Sequence, residues 1–238
     1  RQIDHFIAGG AGSTGTGRTH KIWNPSTGEV QAEVALGDAA LLDLAVAKAK
    51  EVQPAWAATS MKERSAIVER ALKIVLAKQD QIIDTVVAET GKARTDAMSM
   101  EIFSVADSLC YYAKNAEKFL QPRKRKVHGI LGIMKQLRIV YKPLGVVGLI
   151  TPWNGPFVLV MNQAVQAILA GNTVVAKGSE VTPYSAKLAE TILNDAGLPE
   201  GVLQVLLGDG ETGAAIVRGG VDKVSFTGSV ATGRKVAE

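Results

Sequence analysis

Residues Leu144–Glu180 read LGVVGLITPWNGPFVLVMNQAVQAILAGNTVVAKGSE. Three units stand in this stretch. GVVGLI, Gly145–Ile150, is a short apolar run of strand type. Residues 157–170 carry their apolar side chains at helical spacing. NTVVAK, Asn172–Lys177, is the next apolar run. Neither run alternates polar with apolar, which is how strands read when both faces are buried. Strand, helix, strand in that order points to a parallel sheet with helices on each side.

The alternation continues downstream. Pro183–Ala196 reads as a helix, Val202–Leu207 (VLQVLL) as a strand and Glu211–Arg218 as a short helix. Asp222–Gly228 (DKVSFTG) reads as a fourth strand, with a helix opening after Gly228. Ligands of such sheets bind beyond the carboxyl ends of the strands. The residues to inspect are therefore Thr151–Asn154, Lys177–Glu180, Gly208–Gly213 and Thr227–Ser229.

Upstream the pattern differs. Residues 1–37 read as short strands and turns, with GGAGSTGTG (Gly9–Gly17) a flexible loop by composition. Asp38 is placed to cap a helix with apolar residues from Leu41 to Trp56. Ser60-Met61-Lys62-Glu63 matches a capping box and opens a second helix. A third helix is expected over Gln79–Glu89, stopping near Gly91, and a fourth over Thr95–Leu120. VHGILGI (Val127–Ile133) and KQLRIVYKP (Lys135–Pro143) then read as two strands.

Composition narrows the classes. The chain has 238 residues, 47% hydrophobic, enough for a sizeable core. No run approaches the ~20 apolar residues of a membrane helix. The start, RQIDHFIAGG, lacks the layout of a secretory signal. The single cysteine, Cys110, allows no intrachain disulfide, which fits a cytoplasmic setting. Net charge is +4, and part of the excess lies in PRKRK, Pro122–Lys126. Without interleaved aromatics this run reads as a solvated connector rather than a nucleic-acid patch.

Three stretches could cradle a phosphate. Gly10-Ala-Gly12-Ser-Thr-Gly15 follows only a weak strand and precedes no clear helix. Gly208-Asp-Gly210-Glu-Thr-Gly213 is better placed, but Asp209 and Glu211 would oppose an anion that a helix end attracts with only about half a unit of charge. Phe226-Thr227-Gly228-Ser229 ends a strand and enters a helix with no carboxylate nearer than Asp222 and Glu238. Backbone N–H groups, the Ser229 hydroxyl and the helix dipole would converge there on a diphosphate. The following Arg234 does not make it a P-loop, because the lysine and the magnesium-binding hydroxyl are absent. Lys177 and Glu180, at another strand end, are either a surface ion pair or two groups converging on one polar ligand.

ITPWNGPF (Ile150–Phe157), AGNTVVAKGSEVTPYSA (Ala170–Ala186), AGLPEGVLQVLLGDG (Ala196–Gly210) and VDKVSFTGSVATGRKVAE (Val221–Glu238) together resemble the aldehyde dehydrogenase superfamily. The resemblance covers essentially the whole chain and about the first half of a family member. It implies a Rossmann-like cofactor-binding α/β fold and oxidation of an aldehyde with hydride transfer to NAD, or NADP. It implies that Ile150, Thr151, Pro152 and Trp153 line the cofactor and that Asn154 is the catalytic oxyanion donor. Lys177 and Glu180 would hold the adenosine ribose, Gly210 would lie beside adenine and Ser229 would bind pyrophosphate. Ser179, Phe226, Thr227, Gly228 and Thr232 join the same cofactor set. No metal is expected.

The implied organisation is an N-terminal part of the cofactor domain (1–121), an oligomerisation hairpin (122–143, pairing copies through 124–142) and a Rossmann-like segment (144–238). The sheet is expected to be incomplete at its C-terminal side. The family's nucleophilic cysteine and base glutamate are expected downstream of Glu238, so these residues alone are expected to bind cofactor at most. The alternative is a non-catalytic dinucleotide-binding or interaction protein. Cys110, in a helical run, is expected to be a buried structural thiol. The small-molecule partner is an aldehyde, with neither nucleic acid nor membrane expected. Gly178 stands where the family usually has proline.

Overall fold

The structure, a computed structural model, describes residues 2–3, 5–7, 10–12 and 17–238. Five short strands come first: β1 (Gln2–Ile3), β2 (His5–Ile7), β3 (Gly10–Gly12), β4 (Thr19–Trp23) and β5 (Val30–Ala35). Helices α1 (Ala39–Ala58), α2 (Met61–Ala77) and α3 (Gln79–Thr90) follow. Next, α4 (Arg94–Ala97), a π-helical turn (Met98–Phe103) and α5 (Ser104–Leu120) run on as one rod. A hairpin holds β6 (Arg123–Arg125), α6 (Leu131–Met134) and β7 (Leu137–Ile139). The chain then alternates through β8 (Val146–Ile150), α7 (Val158–Leu169), β9 (Thr173–Lys177), α8 (Pro183–Asp195), β10 (Leu203–Leu206), α9 (Gly210–Arg218), β11 (Lys223–Phe226) and α10 (Val230–Ala237).

Strands β8–β11 form one parallel sheet in the order β10-β9-β8-β11. The apolar strands predict burial on both faces, and the packing has it. Val147, Leu149, Val174, Ala176, Leu203 and Val205 join one core cluster with residues of α2, α5, α7 and α8. Val146, Ile150, Val175 and Leu206 face the other way, against α1 and α9. The strand order reverses between β8 and β11, which makes the space above them the topological switch point. Register sets the floor of that space: Ile150 pairs with both Lys177 and Phe226, and Lys177 with Leu206, so one row crosses the carboxyl edge of the sheet.

Local chemistry fixes the upstream helices. Asp38 caps α1 by accepting the Leu41 amide, and Ser60 and Glu63 close a reciprocal capping box on α2. Gly91 ends α3 in the left-handed conformation at φ 72°. The β10 edge is guarded by α8: Glu190 accepts the Val205 amide at 2.8 Å, and Lys187 donates to the Val205 carbonyl at 3.0 Å. These bonds occupy backbone groups that would otherwise be open to pairing with another strand.

One expectation needs correction. Val127–Ile133 is not a strand. Gly129 turns the chain at φ 70°, and Gly132 and Ile133 donate back to Gly129 and Ile130, starting the short helix α6. The basic run is exposed throughout, and within it Arg123–Arg125 forms β6, paired antiparallel with Leu137–Ile139. In the glycine-rich N-terminal stretch, Gly10–Gly12 is β3, antiparallel to β2, while Gly9 and Ser13–Thr16 lie outside the described residues. No helix among the described residues is long and apolar enough to cross a membrane.

Candidate cofactor site

A cavity of about 340 Å³ opens above the row Ile150, Lys177, Phe226. Two helices wall it. From α9 come Gly210, Gly213, Ala214 and Val217; from α10 come Thr232, Lys235 and Val236, with Ser229 at its start. Thr151, Pro152, Ser179, Glu180, Thr227 and Gly228 complete the rim. Small and apolar side chains make up most of the walls, joined by Arg218, Thr232 and Lys235, and the strand-end edge is polar, a shape that suits a flat ring carrying a polar sugar.

Every sequence-derived cofactor residue except Trp153 lines this cavity. Trp153 is 58% exposed in the bend after β8, and Asn154, the catalytic candidate, lies in the same bend. The Asn154 backbone carbonyl accepts a hydrogen bond from Lys92 Nζ at 2.6 Å. Ala214, Val217, Arg218, Lys235 and Val236 were missed. The signal for them was helical spacing: Gly210, Ala214 and Val217 on one helix, and Ser229, Thr232 and Val236 on the other, fall on facing stripes.

The polar groups are specific. Lys177 is buried, and its Nζ lies 3.4 Å from Glu180 Oε2, so the two converge on the cavity edge as an ion pair. Thr151 is 3% exposed, and its Oγ1 has no hydrogen-bond partner although it lines the cavity. A buried hydroxyl at a cavity edge needs a partner there, a water or a polar ligand group. Gly210 leaves open space where a Cβ would stand, and a Cβ at Gly213 would approach nothing nearer than Lys177 Cδ at 3.8 Å. Gly228 has an internal reason: a Cβ there would meet the Phe226 ring at 2.5 Å. Gly178 has one too, since a Cβ would come within 2.6 Å of Ala186 Cβ on α8.

The helices at the carboxyl edge differ in what sits at their N-termini. At α7, Glu101 accepts the Val158 amide at 2.8 Å. At α8, the Glu89 carboxylate accepts the amides of Tyr184 at 2.7 Å and Ser185 at 2.8 Å. Burial pushes the Glu89 pKa up to about 7, against the lowering effect of those bonds and of the Ser185 hydroxyl. At α9, Asp209 accepts the amides of Glu211 and Thr212. Burial acts to raise the Asp209 pKa, but the two amides and the Arg18 guanidinium hold it below the usual value. Arg18 ion-pairs with both Asp209 and Glu211, so the carboxylates of this glycine-rich turn are already engaged. At α10 the first amides are met instead by the N-cap hydroxyl: Ser229 Oγ accepts the Thr232 amide, and among the described bonds no carboxylate reaches this helix end. The positive end of α10 is therefore the one not offset by a carboxylate of the protein itself.

Cys110 lies on α5, half-buried rather than buried, and does not line the cavity. Among the described residues no cluster of three or more His, Cys, Asp or Glu side chains could hold a metal.

Fold and cleft define a Rossmann-like α/β protein with its ligand cavity at the sheet's switch point. The chain belongs to the aldehyde dehydrogenase family, whose model matches residues 13–238. It is 41% identical over 214 residues to a Mycolicibacterium smegmatis protein named as an NADP(+)-dependent succinate-semialdehyde dehydrogenase, covering 89% of this chain and 40% of that one. Its structure resembles a NAD-dependent benzaldehyde dehydrogenase from Corynebacterium glutamicum (TM-score 0.89, 32% identity, 98% of this chain and 50% of that one). It also resembles a Mycobacterium tuberculosis aldehyde dehydrogenase complexed with NAD+ (TM-score 0.91, 34% identity, 99% and 49%). The chain thus spans half the length, or less, of these relatives.

Proposed function

We propose that the cavity between α9 and α10 holds the ADP portion of NAD, and that the chain serves aldehyde oxidation as the cofactor-binding part of an aldehyde dehydrogenase. The neutral start of α10 carries this reading. Three neighbouring helix ends already hold a carboxylate, and the fourth faces the cavity without one. The diphosphate would lie at the amides after Ser229. Adenine would enter the slot lined by Ala214, Val217 and Val236. Lys177 and Glu180 would take the ribose hydroxyls, one as donor and one as acceptor. Glu180 favours NAD over NADP, because a 2′-phosphate would bring like charge to its carboxylate.

When bound, the nicotinamide supplies the hydride acceptor. This chain's contribution to the chemistry is Asn154, whose side-chain amide would donate to the oxygen of the aldehyde as negative charge develops there. One such donor is worth about 3–4 kcal/mol of barrier. Cys110, on α5 and outside the cavity lining, is given no part in it.

The test is calorimetric titration with NAD+, NADP+ and ADP-ribose. Saturable NAD+ binding, matched closely by ADP-ribose, is expected. Absence of binding by all three would remove the reading.

The hairpin has its own role in this proposal. Ile130, Ile133 and Met134 are 78%, 85% and 80% exposed, and β6–β7 is a two-stranded sheet with open edges. A second copy would cover them. Light scattering should find an oligomer that Ile133→Asp/Met134→Asp dissociates; a monomer in the unaltered protein would remove this part.

A further inference from the structure

We propose that Lys92 and Glu101 are positioning residues that hold the bend between β8 and α7 in the setting that aims the Asn154 amide. The proposal rests on the oxyanion role given to Asn154 above. Lys92 Nζ donates to the Asn154 carbonyl oxygen at 2.6 Å and to Glu101 Oε1 at 2.7 Å. The other Glu101 oxygen, Oε2, accepts the Val158 amide at 2.8 Å. One ion pair therefore grips both ends of the segment Asn154–Val158.

The grip is built from the interior. The Glu101 side chain is 1% exposed and that of Lys92 17%. Glu101 sits in the π-helical turn Met98–Phe103, a conformation frequent at functional sites. Lys92 follows Gly91, whose left-handed backbone ends α3 and redirects the chain. The bend itself is tight: a Cβ on Gly155 would meet Val158 Cγ1 at 3.0 Å.

A buried ion pair is weak as a stabilising device, since desolvation offsets most of its Coulomb energy. Its worth here is geometric. The carbonyl of Asn154 shares its Cα with the side chain, so holding that carbonyl restricts the backbone from which the amide is aimed, leaving the side-chain torsions to complete the setting. A donor misplaced by about 1 Å can lose about a hundredfold in rate. The sheet does not supply this constraint, because its backbone bonding on this side stops at Thr151, whose amide donates to the Lys177 carbonyl.

The experiment reads Asn154 directly, by nuclear magnetic resonance of the 15N-labelled chain. Its side-chain amide signal is identified by its disappearance in Asn154→Ala. Lys92→Met/Glu101→Gln removes both charges together and strands neither. Lys92→Gln leaves the Glu101–Val158 bond in place, and Lys92→Arg keeps a donor. In the double variant the Asn154 amide signal is expected to broaden or split, while the Val158 amide, which the glutamine oxygen can still accept, should stay largely protected from exchange. Lys92→Gln should disturb the Asn154 signal alone, and Lys92→Arg should restore it. Unchanged Asn154 signals in Lys92→Gln, or in the double variant, would overturn the proposal. Should the double variant not fold, Lys92→Gln decides by itself. NAD+ titration of the unaltered chain separates the two ideas: its failure sinks the cofactor reading and leaves the Asn154 result standing.

Discussion

Ser229 Oγ accepts the Thr232 amide hydrogen at 3.2 Å and lies 2.9 Å from the Thr232 hydroxyl, so α10 starts on an uncharged cap. Aspartate and serine cap helices about equally well. Ser229→Asp should therefore leave the melting temperature within a few degrees of the unaltered protein. It would also set a carboxylate where the diphosphate is proposed to lie. NAD+ affinity, read by calorimetry, is expected to fall at least about tenfold, or ~1.4 kcal/mol. Full affinity with full stability would show that no anion binds at this helix end.

The Lys177–Glu180 pair makes cofactor choice measurable. Lys177 is buried and Glu180 about one-third exposed, so Glu180 is the member free to adjust. Glu180→Gln keeps an acceptor for ribose and removes the charge that disfavours a 2′-phosphate. The ratio of NADP+ to NAD+ affinity is expected to rise about tenfold, the scale of a modest Coulomb term at a protein surface. A ratio unmoved by the substitution would mean that Glu180 does not face the 2′ position.

The sheet was legible because three of its strands are largely apolar and its helices carry one-sided stripes. Gly145–Ile150, Asn172–Lys177 and Val202–Leu207 could hardly be anything else. Caps were legible for a similar reason, since Asp38 and Ser60 act on amides a few residues away. The hairpin was not. Val127–Ile133 alternates like a strand, yet Gly129 turns the chain left-handed and the apolar side chains end on an exposed helical turn. In the site, strand-end residues could be read from chain order alone. The guarding carboxylates could not: Glu89 and Glu101 reach Ser185 and Val158 across 96 and 57 residues of sequence. Nor could Arg18, 191 residues from Asp209.

Burial of Glu89 sets the sign of a pH dependence. Its carboxyl is buried against the start of α8, and its pKa rises from 4.5 to about 7 on folding. The folded protein thus binds more protons than the unfolded chain between those values. Stability is expected to fall as pH rises from about 4.5 through 7, by roughly 3 kcal/mol at about 1.4 kcal/mol per unit. Glu89→Gln has nothing to titrate and should flatten that part of the curve. Urea midpoints from pH 4.5 to 8 for both proteins check it. Parallel curves would assign the slope to other groups.

Gly178 and Ala186 offer a test of how the β9 loop sets Glu180. A Cβ at position 178 would lie 2.6 Å from the Ala186 Cβ, closer than two carbons can stand. Gly178→Ala should push the loop off α8, with a loss of about 1–3 kcal/mol for overpacking. Ala186→Gly alone should lose about 1 kcal/mol of helix propensity. Combined, the two should lose less than their sum, because removing the Ala186 methyl opens the space the new Cβ needs. Melting temperatures of the four proteins close this double-mutant cycle. NAD+ affinity should follow the same pattern, since Glu180 is two residues beyond the clash. Additive losses in stability would mean that the loop and α8 do not meet as described.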